Sequence, residues 1–194
     1  LTAAHCLFDR ATGARIPLDE FRFGAGLRHG RAAAWRGVRR AAVHPGYAFD
    51  GADRLERVAH DLALLQLDQP IRLPSIRPFD TELDSVAGDS VGVVSYARDR
   101  AEAPSLQETC AVLGRRPGVL VLSCSVDFGS SGAPIFTLQG GAPRIVSVVS
   151  AKAEMTGQPV ALGTALGAPL AALKAQLARA DGATGAKFVR PGAP

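Results

Sequence analysis

The sequence predicts an all-β protein, with two antiparallel β domains joined by a proline-marked linker and followed by one C-terminal helix. Three observations carry this reading. Strand-sized apolar runs separated by Gly, Pro, Asp and Ser recur from end to end, only one segment has clear helical periodicity, and the intervals between runs are too short for βαβ units. Runs of this kind build a sandwich or a barrel.

Taken in order, LTAAHCL at residues 1–7 reads as the middle of a strand, and FRFGAGL, GVRRAAVH and DLALLQL supply further strands of a first domain, residues 1–73. Residues 74–85 read as a linker, since Pro70, Pro74 and Pro78 each remove a backbone donor from any ladder there. SVGVVSYA, TCAVLG, VLVLSCSV, APIFTL and RIVSVVSA form the second domain, residues 86–167. In APLAALKAQLARA, residues 168–180, Leu170, Leu173 and Leu177 recur at three- and four-residue spacing, which predicts a helix ending at Asp181-Gly182. The Gly-, Ala- and Pro-rich residues 181–194 read as a mobile tail. With no initiator Met and no signal-peptide pattern at its start, the chain reads as N-terminally truncated, which leaves the first domain short of strands.

Composition narrows the function classes. At 47% hydrophobic and 21% charged residues the chain belongs with folding globular proteins rather than disordered ones. No apolar run reaches the eighteen or so residues of a membrane-spanning helix. The net charge of +4 comes from scattered arginines, with short clusters at 36–40 and 115–116. These lack the interleaved aromatic or glycine motifs of a nucleic-acid binder, so no nucleic-acid partner is expected. The three cysteines, Cys6, Cys110 and Cys124, are too few for a disulfide scaffold and wrongly spaced for zinc. Cys110 and Cys124 each border an apolar segment that could pair as a hairpin, and a bridge closing that loop would contribute about 3 kcal/mol in chain-entropy terms. Cys6 is then odd, and a partner upstream of residue 1 is the simplest account. Disulfide use implies an oxidising compartment.

Three segments could do chemistry. Ser131 lies in GSSGAP, residues 129–134, where glycines permit a tight turn that points a serine outward and gathers backbone N–H groups at one spot. Such a spot is an oxyanion hole, with Gly129 and Ser131 as its donors. The plainer reading is a Gly/Ser turn between strands. His5, in TAAHC, has small neighbours that leave room above the ring for a general base to meet its substrate, although a strand-end histidine taken alone is more often structural. His29 and His44 lie in turns beside Gly or Pro, and His60 precedes an apolar strand. Asp61 opens DLALLQL, and a carboxylate entering a buried strand is costly unless something pairs with it. A histidine N–H would do so, and a strand-capping role is the alternative.

The order His, Asp, Ser belongs to one of the convergent serine-nucleophile solutions and not to the others. TAAHC, HPGY at 44–47, HDLALLQL, GSSGAPIF and SVVSA at 147–151 resemble the successive landmarks of the trypsin-like, chymotrypsin-fold serine peptidases across nearly the whole chain. Within that family the chain most resembles the bacterial, glutamyl-endopeptidase-like branch, because Cys124 stands seven positions before Ser131 in CSVDFGSSG. The resemblance implies two six-stranded-type antiparallel barrels, the first incomplete here, with a C-terminal helix. It implies Ser131 as nucleophile, His5 as general base, Asp61 as orienting carboxylate and Gly129 with Ser131 as oxyanion donors. It further implies a polypeptide substrate paired along Ser150, Ala151 and Lys152, no cofactor or metal, a monomer, and secretion or a periplasmic location.

Two departures matter. Ser130 stands where trypsin has an acid before its nucleophile, so activation is not expected to use an ion pair with a freed N-terminus. No acidic residue aligns with the base of trypsin's specificity pocket. Ser125 and Lys152 are candidates to favour an acidic or small side chain, and Asp127 faces either the pocket or solvent. Among rival readings, GDSVG at residues 88–92 matches a nucleophile elbow, but that fold needs a histidine after the serine, and every histidine precedes Ser90. A non-catalytic binding module on the same fold and a serine esterase are the remaining alternatives.

Overall fold

Two sheets share the computed structural model, which describes residues 1–82, 87–96, 101–127, 129–137, 141–179 and 188–189. The N-terminal sheet has strands β1 (Arg22–Ala25), β2 (Ala34–Val43) and β3 (Ala63–Leu67), with β2 paired antiparallel to both others. Ala41 and Ala42 of β2 also pair, in parallel, with β11 (Phe188–Val189). Apart from those two residues, the predicted tail lies outside the described residues, as do residues 83–85 of the predicted linker and Ala180 at the predicted helix end. Between β2 and β3 sits a short helix, α1 (Arg54–Ala59), whose first turn is held by Asp53: its carboxylate accepts from the N–H groups of Leu55 and Glu56 at 2.8 and 3.0 Å.

The second sheet is a closed barrel. Its strands are β5 (Ser90–Ser95), β6 (Ser105–Arg116), β7 (Val119–Leu122), β8 (Pro134–Thr137), β9 (Arg144–Met155) and β10 (Gln158–Ala165). The ladder runs β5-β6-β7-β10-β9-β8 and returns to β5, every pair antiparallel. A two-residue strand, β4 (Asp80–Thr81), lies parallel to Arg144–Ile145 of β9. The β9–β10 hairpin turns through Thr156 and Gly157 at φ +49° and +77°, both on the left-handed side that a tight twisted hairpin requires. GDSVG is the turn entering β5: Ser90 is that strand's first residue and pairs with Ala111.

The helix predicted from leucine spacing forms as α2 (Gly167–Arg179). Its Leu170 and Leu173 pack with Ala42 and Leu62 of the N-terminal part and with Val148 and Leu166, so one apolar cluster ties both sheets to the helix. The barrel core holds Val91, Val112, Leu120, Leu122 and Ile135, and the Cys110–Cys124 disulfide joins β6 to the residues just after β7, the expected hairpin partners. A second apolar contact, Val58 of α1 with Val119 and Leu162, closes the seam between the two units. Among the described residues, no helix is long and apolar enough to cross a membrane.

The first segment departs from its predicted form. Thr2 and Ala63 exchange backbone hydrogen bonds at 3.0 and 2.8 Å, but Ala4–Leu7 then wind into a 3-10 turn. A strand would need the N–H of His5 for a ladder, and that N–H is instead donated to Asp61 Oδ1 at 2.8 Å. Buried Ala3 and Ala4 are small enough for the chain to turn tightly there.

Candidate active site

Each side chain of the site is fixed by the element that carries it. The 3-10 turn presents His5, and its Nδ1 lies 2.6 Å from Asp61 Oδ2, so His5 meets both oxygens of one carboxylate through backbone and ring. Asp61, 2% exposed, follows α1 after the single capping residue His60. The fully buried Thr164 of β10 shares its hydroxyl proton between the carbonyls of Val58 and Asp61, at 2.8 and 3.2 Å, which anchors the end of α1 beneath the carboxylate.

A third group completes the carboxylate's shell. Along β9, Val149 and Ala151 face Gly163 and Leu162, so Ser150 is an extra residue in a bulge. The bulge turns its hydroxyl onto Asp61 Oδ2 at 2.5 Å. Sequence reasoning marked Ser150 for pairing with the substrate backbone; its side chain has a further partner, Asp61, that sequence reasoning did not foresee. Nothing in SVVSA signals the bulge, which arises from pairing with β10.

This arrangement biases the imidazole. Burial disfavours its charged form, but the hydrogen bond to Asp61, with Cys6 next and the Asp61 charge adding to it, outweighs burial and pushes the His5 pKa up from 6.5 to about 10. His44 stacks on His60 with ring centroids 4.7 Å apart, and burial together with His60 pushes the His44 pKa down to about 4. Its Nδ1 accepts the Gly46 N–H at 3.2 Å, so this ring is a neutral structural partner.

The serine turn faces the same space. Ser130 is buried and donates its N–H to the Asp127 carbonyl at 3.0 Å, and Gly132 donates to the Val149 carbonyl at 2.8 Å. Ser131 between them is exposed. The N–H groups of Gly129 and Ser131 have no acceptor among the described residues. Gly129 and Gly132 adopt φ of +93° and +76°, and a Cβ on Gly132 would come within 2.3 Å of Thr2 Oγ1 and 3.1 Å of the Ala3 nitrogen. Glycine at 132 is therefore what lets the serine turn dock against the segment that carries His5.

His5, Asp61, Gly129, Ser131, Ser150, Ala151 and Lys152 all line one cleft of about 830 Å³. Lys152 Nζ pairs with Asp127 Oδ1 at 2.6 Å on its rim. Ser125 is not among the lining residues: it is exposed and its N–H is held by Gln107 Oε1 at 2.9 Å, while Val126 and Asp127 reach the cleft in its place. Arg54 and Arg57 of α1, which sequence reasoning missed, also reach it. A six-residue helix is too short for periodicity to reveal, and its legible signal was Asp53 with Glu56 three positions on, a capping pattern.

Comparison with known proteins gives the lineage. No curated protein sequence matches the chain. Among solved structures, a Glu endopeptidase superposes with a TM-score of 0.70 at 16% identity, covering 92% of this chain and 80% of its own. A thermostable serine protease from an extremophilic microorganism gives 0.66 at 18%, covering 89% and 80%. A mutant of human heparin binding protein gives 0.65 at 19%, covering 98% and 84%. At these identities the likeness shows the shared fold, which agrees with the closed barrel, second sheet and C-terminal helix described above. Residues 1–142 match the trypsin-like peptidase domain family, and the chain belongs to that family.

Proposed function

We propose that the chain is a serine endopeptidase in which His5, Asp61 and Ser131 act as a triad. One observation carries the reading: a buried carboxylate, held by Ser150, grips the imidazole of His5 at the wall of a cleft also lined by an exposed serine and by two residues whose amides have no acceptor among the described residues. In this reading His5 takes the proton of Ser131 Oγ as the new C–O bond forms on the scissile carbonyl. The N–H groups of Gly129 and Ser131 stabilise the oxyanion. Collapse breaks the C–N bond, His5 protonates the departing amine, and water then releases the acyl group by the reverse proton path. The backbone of Ser150–Lys152 is the edge on which a polypeptide substrate pairs. Placement of the chain outside the cytoplasm, as a secreted or periplasmic monomer, rests on the family and on the Cys110–Cys124 bridge.

Hydrolysis of unstructured polypeptide and of matched amide and ester substrates tests this reading. The account expects amide cleavage that is abolished in Ser131→Ala and His5→Ala. Ester cleavage without amide cleavage would indicate an esterase, and no hydrolysis of either would indicate a binding module.

A further inference from the structure

Charge in the cleft is unevenly compensated. Its two lining carboxylates are engaged, Asp61 with His5 and Ser150 and Asp127 with Lys152. Three lining guanidiniums, Arg10, Arg54 and Arg57, meet no carboxylate among the described residues. Arg57 is half-buried, and its Nη1 is steered by the carbonyls of Phe49 and Gly51, each at 3.4 Å. Arg54 reaches over to the carbonyl oxygen of Lys152. All three carbonyls are neutral, so they orient the guanidiniums without cancelling their charge. The nearest acid on α1's own cap, Asp53, spends its carboxylate on the backbone of Leu55 and Glu56.

The surroundings make that charge effective. Phe8, Tyr47 and Phe49 line the same wall, with the Phe8 ring 5.8 Å from Tyr47 and 5.5 Å from Phe49. Low-dielectric walls focus the field of a fixed cation and strengthen its pull on an anionic ligand. The Arg57 charge is felt by Tyr47, where it opposes the rise in phenol pKa that burial and the Asp61 charge produce. The wall beside Ser131 is different in kind: Val126, Val149 and Ala151 are apolar.

We infer that the cleft selects acidic peptides, with Arg57 as the principal recognising group and Arg54 and Arg10 beside it. The acidic side chains are bound at the aromatic wall formed by Tyr47, Phe49 and α1, away from the apolar residues flanking Ser131. This names the substrate class of the proposed peptidase and rests on that reading, but its test does not require turnover.

The test is equilibrium binding by fluorescence anisotropy. The full chain carrying Ser131→Ala is titrated against two labelled peptides of one sequence, one with Glu and one with Lys at the variable positions. The expected result is an affinity for the Glu peptide at least about tenfold higher at low ionic strength, with the ratio shrinking as salt is added. Arg57→Glu should remove or reverse the preference. Arg57→Gln, which can keep a hydrogen bond to a backbone carbonyl but has no charge, should remove most of it, and thermal melting of both variants reports on folding. Equal affinities, a preference for the Lys peptide, or a Glu preference that survives in both folded variants would overturn the inference. Failure of the wild-type chain to cleave amides, alongside a retained Glu preference, would instead strike the peptidase reading alone.

Discussion

Ser150 and His5 share one oxygen: Asp61 Oδ2 accepts from the Ser150 hydroxyl at 2.5 Å and holds His5 Nδ1 at 2.6 Å. The serine is thus a positioning residue for the carboxylate. Ser150→Ala leaves a buried carboxylate oxygen short of a donor, a loss of about 1–3 kcal/mol. It also concentrates negative charge toward the imidazole. The expected outcome is a lower melting temperature, a reduced kcat and a pH–rate midpoint displaced upward, whereas a merely structural serine would leave that midpoint in place.

Asp61→Asn removes the charge that fixes the imidazole's tautomer. Turnover should fall by about 10⁴-fold. The midpoint of the rising limb of kcat/KM should fall with it, because the group that raised the His5 pKa is gone. Pre-steady-state and pH-resolved kinetics on the purified variant check both.

The raised His5 pKa has two consequences of opposite sign. Catalysis needs the neutral ring, so kcat/KM of the free enzyme should climb with pH from 6.5 toward about 10 rather than levelling off at neutrality. Stability runs the other way. A folded-state pKa above the unfolded value favours folding fully below pH 6.5, and that contribution is lost as pH rises through about 10. Denaturant melts across this range, compared with His5→Ala, read the second effect directly.

Gly132→Ala should be costly out of proportion to one methyl. The position sits at φ +76°, and the new Cβ meets the Thr2 hydroxyl and the backbone of Ala3. Left-handed strain alone costs about 1–3 kcal/mol. Moving the turn to relieve the clash also moves Ser131 away from the His5 segment, so thermal stability and activity should fall together.

Most of the β architecture was legible because strand-sized apolar runs bury their residues wherever they pair. The leucine spacing located α2 to within a residue at its start, and Cys110 and Cys124 lie on paired segments as their flanking runs suggested. What was not legible depends on long-range partners. Ala4–Leu7 looks apolar and extended, but a hydrogen bond from His5 N–H to Asp61, 56 residues away, bends it into a turn. β10 is rich in Ala and Gly and contains Pro159, poor strand formers that β7 and β9 nevertheless hold between them. The role of Ser150 depends on a bulge set by that same pairing. His5, Asp61 and Ser131 stood out as residue types and by their order, whereas the arginines of the cleft wall looked like the scattered surface charge found elsewhere in the chain.

Covalent labelling with a fluorophosphonate, followed by peptide mass mapping, tests the central claim most directly. The account predicts a single adduct on Ser131, absent in Ser131→Ala and strongly slowed in His5→Ala. A folded chain that stays unlabelled, or that labels equally fast without His5, would contradict it.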